Sequence, residues 1–180
     1  MGANVVAQRR QGGSTGSGKL GDSGSRSYDR DLYGGWRDAD GDCRDTRDEA
    51  LAAQGRQIEW SADGCEVIGG VWRGPYTGQR FTDPGDLHID HVVRLKEAHV
   101  SGARSWSHSR RREFANALDN LLAVEAGENM SQGSRGPSDW LPEVQQCEYV
   151  RQWVTVKREW DLRMDAQERT AVGQLLEDCQ

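Results

Sequence analysis

The most apolar β-type run in the chain is L-H-I-D-H-V-V-R-L, residues 87–95, which carries polar residues in its middle. A second short strand, N-L-L-A-V, follows at 120–124, and the polar stretch 125–132 suits a single exposed helix. Between the two strands, 96–102 reads as a helical or turn connection and 107–117 as a helix. Upstream, 65–72 (C-E-V-I-G-G-V-W) is β-rich, and 74–81 reads as a turn and a second short strand. A short helix precedes them, with Asp45 as N-cap and Ala50 and Leu51 facing inward. Downstream the pattern turns helical. Val144, Cys147, Val150, Val154 and Lys157 recur at spacings of three or four over 143–160, and Ala171, Leu175 and Leu176 share one face of a helix over 165–178. Residues 161–164 connect the two as an antiparallel hairpin. The predicted class is α+β, with a helical hairpin at the C-terminal end.

Composition sets the boundaries. Residues 1–26 are rich in Gly and Ser and nearly devoid of large apolar side chains, which predicts a flexible tail followed by one domain over 27–180. Within the tail, G-S-T-G-S-G-K at 13–19 imitates a phosphate-binding loop. Leu20 stands where a magnesium-binding hydroxyl is needed, and no buried strand precedes it, so no nucleotide cofactor is expected. The acidic turn D-A-D-G-D-C at 38–43 lacks the Gly and Glu of a calcium loop and reads as solvated. No apolar run is long enough for a membrane span or a signal peptide. The net charge is −6, and since residues 1–26 carry +3, the remainder carries −9. Such a body cannot bind a polyanion indiscriminately. It needs a local basic strip or a bridging cation.

None of the four cysteines lies in a C-x-x-C pair, which argues against structural zinc. Cys147 and Cys179 sit about equally far along the two arms of the helical hairpin, roughly 20 Å from its turn at 1.5 Å per residue, so their sulfurs come level. A Cys147–Cys179 bond leaves Cys43–Cys65 as the second. The alternative is four separate buried thiols. Two disulfides would favour an oxidising, secreted setting, although no leader is encoded here.

The candidate chemistry lies on the paired strands: Asp90 and His91 on the first, Asn120 opening the second, Asn129 on the following helix. A neutral histidine can take a proton from water. Carboxylate and amide oxygens suit a hard divalent cation, which can hold a phosphate and neutralise a departing oxygen. The elements H-I-D-H-V-V (88–93), N-L-L-A-V (120–124) and N-M-S-Q-G-S-R-G-P (129–137), with D-T-R-D-E-A-L (45–51) and D-W-L-P (139–142), resemble the HNH, or ββα-metal (His-Me finger), endonucleases. The closer likeness is to the C-terminal nuclease domain of modification-dependent restriction enzymes and to exported bacterial nucleases. It spans about 28–180.

The resemblance implies a ββα-metal core with added helices and a role for each residue. His91 would be the general base and Asn120 would pin the loop carrying it. Asp90 and Asn129 would hold one divalent cation, magnesium with manganese as the alternative. DNA would be cut to a 5′-phosphate and a 3′-hydroxyl, with little sequence specificity. The chain departs from the pattern at Arg94, where the family usually has proline, and at Met130 and Gln132, where it usually has Arg and Lys. His88 shares a strand face with Asp90, and His88, Arg47, Arg94 and Arg135 are candidates for supporting or phosphate contacts. Arg104, Arg110, Arg111 and Arg112 form a candidate DNA-contact patch, while His99 and His108 read as surface residues. Because Asp90 and His91 are neighbours, alternation puts them on opposite faces, so a shared site requires the strand to end or bulge there. The competing reading is a protein that keeps the HNH fold and binds nucleic acid or a partner with little or no turnover. Whether an inhibitor or immunity protein exists is open.

Overall fold

A computed structural model describes residues 27–179. The expected tail and its phosphate-loop look-alike lie outside the described residues. A 3-10 turn, Arg30–Tyr33, leads to α1 (Thr46–Gln54), β1 (Arg56–Trp60), β2 (Val67–Arg73), β3 (Arg80–Phe81) and β4 (Leu87–His91). Then come α2 (Leu95–Ser101), α3 (His108–Ala115), β5 (Leu121–Glu125), α4 (Ala126–Gln132), α5 (Gln146–Glu159) and α6 (Ala166–Asp178). The fold is α+β, with antiparallel sheets ordered β1-β2-β3 and β4-β5.

The β4-β5 pair followed by α4 is the ββα core. Leu87, Ile89 and His91 pair with Glu125, Ala123 and Leu121, so these six share one face, with Leu87 and Ala123 in a small core with Leu51, Val67 and Trp72. On the other face, Val124 joins the main core around Val150, Trp153 and Phe114, and Asp90 and His88 turn toward α4. Helix α1 starts where Asp45 accepts from the Arg47 and Asp48 amides, and it seals both margins of the pair. Gln54 donates to Leu121 O at 3.0 Å and accepts from Ala123 N at 2.9 Å, so its amide stands in for a third strand. Arg47 donates to Pro84 O at 3.0 Å and reaches Leu87 O.

The disulfides are Cys43–Cys65 and Cys147–Cys179, with no free cysteine among the described residues. They close stretches of 22 and 32 residues, each restricting the unfolded chain by roughly 3 kcal/mol.

The structure differs from the sequence expectations at several points. Strand β1 has no counterpart among them: R-Q-I-E-W has only Ile58 and Trp60 as apolar residues, it is an edge strand, and Gln57 breaks its register with φ at 52°. Helix α5 begins at Gln146 because Gln145 is left-handed (φ 56°), so Val144 lies outside it and its amide bonds Tyr76 O. The inward face of α5 is Tyr149, Val150, Trp153, Val156 and Lys157. His99 is not a surface residue. Residues 95–101 form a helix whose inner face buries Leu95, Ala98 and His99, and Nδ1 of His99 lies 3.2 Å from the Tyr33 hydroxyl. Arg111 is fully buried beside Phe114 and Ala115 and cannot belong to an exposed patch.

Candidate active site

Strand β4 ends at His91, which resolves the alternation problem. Asp90 and His91 both line an open cleft of about 220 Å³, together with Tyr28, Arg30, Arg94, Leu95, Lys96, Gly133 and Ser134. Larger clefts lie beside Arg110 and Trp160 and along β2, but neither has a histidine or a buried carboxylate in its wall.

His91 is held on several sides. Its Nε2 lies 2.9 Å from Ala115 O, and its ring stacks at 5.8 Å on Trp36 and at 6.3 Å on Phe114. A carbonyl can only accept, so Nε2 carries the ring proton and Nδ1 keeps the lone pair. Burial, helped by Arg30 and Arg94 and opposed by the Ala115 hydrogen bond, pushes the imidazole down to about 4. The ring is therefore neutral at pH 7, as a proton acceptor must be.

Asn120, fully buried, holds the chain just after His91. Its Oδ1 accepts from Val93 N at 2.8 Å, its Nδ2 donates to Val93 O at 3.2 Å, and its own carbonyl accepts from Val92 N at 2.8 Å. Both amide atoms of Asn120 are thus spent on the backbone of Val93, two residues after His91.

Asp90 is buried, and burial pushes its carboxyl up to about 6 although Arg94 pulls the other way. Its Oδ2 accepts from Arg94 Nη2 at 2.6 Å. That same nitrogen donates to Asn129 Oδ1 at 2.5 Å, Gln132 Oε1 at 3.0 Å and Asn129 O at 3.2 Å. His88 sets the direction of the Asn129 amide: Nδ2 donates to His88 Nδ1 at 3.0 Å, leaving Oδ1 to accept from Arg94. Gln132, fully buried, is fixed likewise by donation to the Tyr149 hydroxyl at 3.0 Å. One carboxylate, two side-chain amides and a backbone carbonyl thus converge on a point where a positively charged group already sits. Such an all-oxygen set fits a hard divalent cation.

The other candidates lie elsewhere. Arg47 is spent on backbone carbonyls, as described above. Arg135 donates to Gln132 O at 3.1 Å and to Ser131 O, closing the end of α4. Arg110 stacks 4.7 Å over Trp106 and bonds Asp161 at 3.1 Å, and Arg104 and His108 are exposed. Asp38, Asp40 and Asp42 approach within 4.8 Å of one another, but they are exposed and accept from amides of their own turn. Arg30, Trp36 and Lys96 were not among the site residues expected from the sequence, and Gln132 stood there only as a departure from the family pattern. Arg30 and Trp36 lie in Y-D-R-D-L-Y-G-G-W, a dense aromatic and charged run at the start of the fold, which is the one signal that could have marked them.

The model of the family described as "GmrSD restriction endonucleases, C-terminal domain" matches residues 44–173. A protein of Arthroderma benhamiae, named an uncharacterized secreted protein, is 39% identical over 157 residues, covering 84% of this chain and 76% of that one. No solved structure matches. With a matched span that contains the ββα core and both Asp90 and His91, the chain belongs to the family of GmrSD restriction endonuclease C-terminal domains, an HNH-like nuclease family.

Proposed function

We propose that this chain is a metal-dependent endonuclease that hydrolyses DNA phosphodiester bonds, with His91 as general base. The observation that carries this reading is the His91 imidazole, its Nε2 committed to Ala115 O, in one cleft with the Asp90 carboxylate. Nδ1 of His91 takes a proton from water as the water oxygen bonds to phosphorus. The P–O3′ bond breaks and the departing oxygen takes a proton from solvent, leaving a 5′-phosphate and a 3′-hydroxyl. Asp90, Asn129 and Gln132 would hold the divalent ion, magnesium or manganese, whose charge would offset that developing on the leaving oxygen. Arg30 and Lys96, in the wall of the same cleft, supply positive charge for the phosphate. Two disulfides and a relative named as secreted favour an exported protein.

A second reading, an HNH fold that binds without turnover, is favoured by the position of Arg94, whose guanidinium fills the cation seat. Plasmid nicking separates the two. Supercoiled DNA is expected to be relaxed and linearised in magnesium or manganese and untouched in excess chelator. Binding without cleavage in every divalent ion tried would favour the second reading, and cleavage that persists in chelator would remove the metal from the mechanism.

A further inference from the structure

The hydrogen bonding of Arg94 is unusual for a guanidinium. Nη2 carries two hydrogens, yet four oxygens crowd it: Asp90 Oδ2, Asn129 Oδ1, Asn129 O and Gln132 Oε1. Nε of the same side chain is buried without a hydrogen-bond partner. Arginine normally binds a carboxylate as a fork, through two nitrogens. Here one nitrogen does all the work, in a pocket with more acceptors than it can serve. That oxygen set is better matched to a spherical cation than to an N–H fork.

We propose that Arg94 is a displaceable internal cation. It neutralises the Asp90–Asn129–Gln132 seat, and a divalent ion must expel it to bind. The inference rests on the reading of these residues as a metal seat but not on DNA as the substrate. A divalent ion and the Nη2 of Arg94 cannot occupy the same point among these oxygens and repel each other at that range, so ion entry and Arg94 withdrawal are one exchange. The side chain lines the cleft that holds Arg30 and Lys96, so a guanidinium released from the seat joins two other cations at the phosphate position. Loading of the ion and assembly of the anion clamp are thereby coupled.

The test is manganese binding, read by the electron spin resonance of the free ion, for the wild-type chain, Arg94→Met and Arg94→Pro. The φ of −61° at Arg94 is the value proline imposes, so the second variant removes the guanidinium without altering the backbone angle. Both variants are expected to bind manganese about tenfold or more tightly, because apparent affinity scales with the fraction of molecules whose seat is free. Adding Asp90→Asn to either should abolish the gain. Equal or weaker binding in the two variants, or no manganese binding by any form, overturns the proposal. Tighter binding in variants that still cut no DNA would uphold Arg94 as the displaceable cation and reject the nuclease reading separately.

A second, independent observation concerns the sheet. Arg73 on β2 and Arg80 on β3 are direct cross-strand partners, and Arg56 on β1 pairs with Val71, two residues from Arg73. Like charges placed opposite each other destabilise a sheet. Among the described residues none of these arginines forms an ion pair, although the body of the chain is acidic. All three line one cleft with Gln54, whose amide grips Leu121, the strand partner of His91. We infer that this groove is a track for the sugar–phosphate backbone of a duplex, an inference that rests on the reading of DNA as the substrate.

Fluorescence anisotropy with a labelled duplex, in chelator so that nothing turns over, tests the track apart from any cleavage. Replacing all three arginines by serine should weaken binding about tenfold at low salt and reduce the slope of log K against log salt by about 2 to 3. The same variant should unfold at a temperature no lower than wild type, since it relieves repulsion. An unchanged salt slope, or an affinity loss that merely accompanies a fall in unfolding temperature, would overturn the track.

Discussion

Replacement of His91 by alanine should lower the single-turnover rate of plasmid nicking by about 100-fold to 10,000-fold, the usual contribution of a positioned general base. The size of the effect follows from how thoroughly the ring is dedicated. Its Nε2 is committed to Ala115 O, its plane is set by Trp36 and Phe114, and its neutral form is favoured by burial. The other side chains of the cleft make poor substitutes: Arg30, Arg94 and Lys96 are cations, Asp90 belongs to the cation seat, and the Tyr28 phenol, its pKa raised by burial, and the Ser134 hydroxyl keep their protons at neutral pH. Metal affinity should survive the change, because the oxygen set does not include His91. A variant that nicks at the wild-type rate would remove His91 from the base role.

The largest expected effect on stability lies outside the cleft lining, at Lys157. Its side chain is 1% exposed, and its ammonium bonds Glu168 at 2.6 Å, Glu97 at 2.7 Å, Ser101 Oγ at 3.1 Å and Arg163 O at 3.1 Å. Glu168 also accepts from Trp153 Nε1 at 2.6 Å, so one cation joins α2, α5 and α6. Lys157→Met keeps the length of the side chain and strands a buried carboxylate. Removing one partner of such a pair costs about 3–5 kcal/mol, and the midpoint of thermal unfolding should fall by about 10 °C. Circular dichroism with both disulfides intact measures it. A fall under about 2 °C would show that Glu168 is stable without the ammonium. Adding Glu168→Leu should recover part of the loss, since the stranded charge goes with it.

These two positions also show what the chain discloses as text. Leu87–His91, Leu121–Glu125 and the helix after them are visible because strand and helix periods differ and the core lies on both faces of the pair. Asp90, His91, Asn120 and Asn129 are visible because their order and spacing are local. The Cys147–Cys179 bond is visible because two helices of similar length impose a register. Lys157, by contrast, occupies an inward position of the helical pattern like any apolar residue, and nothing nearby in sequence announces Glu97 or Glu168. Arg30 and Trp36 reach the site from a segment without periodicity, some 60 residues before His91 in the case of Arg30. Arg111 appears in the text as one of three consecutive arginines, and only the packing of α3 against the 3-10 turn separates it from its neighbours. Side chains that meet by long-range packing leave no local trace. That is why the core motif could be read and its surroundings could not.

Each disulfide straddles a border of the span shared with the family: Cys43 and Cys179 fall just outside 44–173, and their partners Cys65 and Cys147 inside it. A fragment trimmed to that span would keep His91 and Asp90 but carry two orphan thiols, and it would forfeit Arg30 and Trp36. The smallest unit that preserves the whole constellation is longer than the homologous stretch, and its two ends are clasped back onto the body by sulfur.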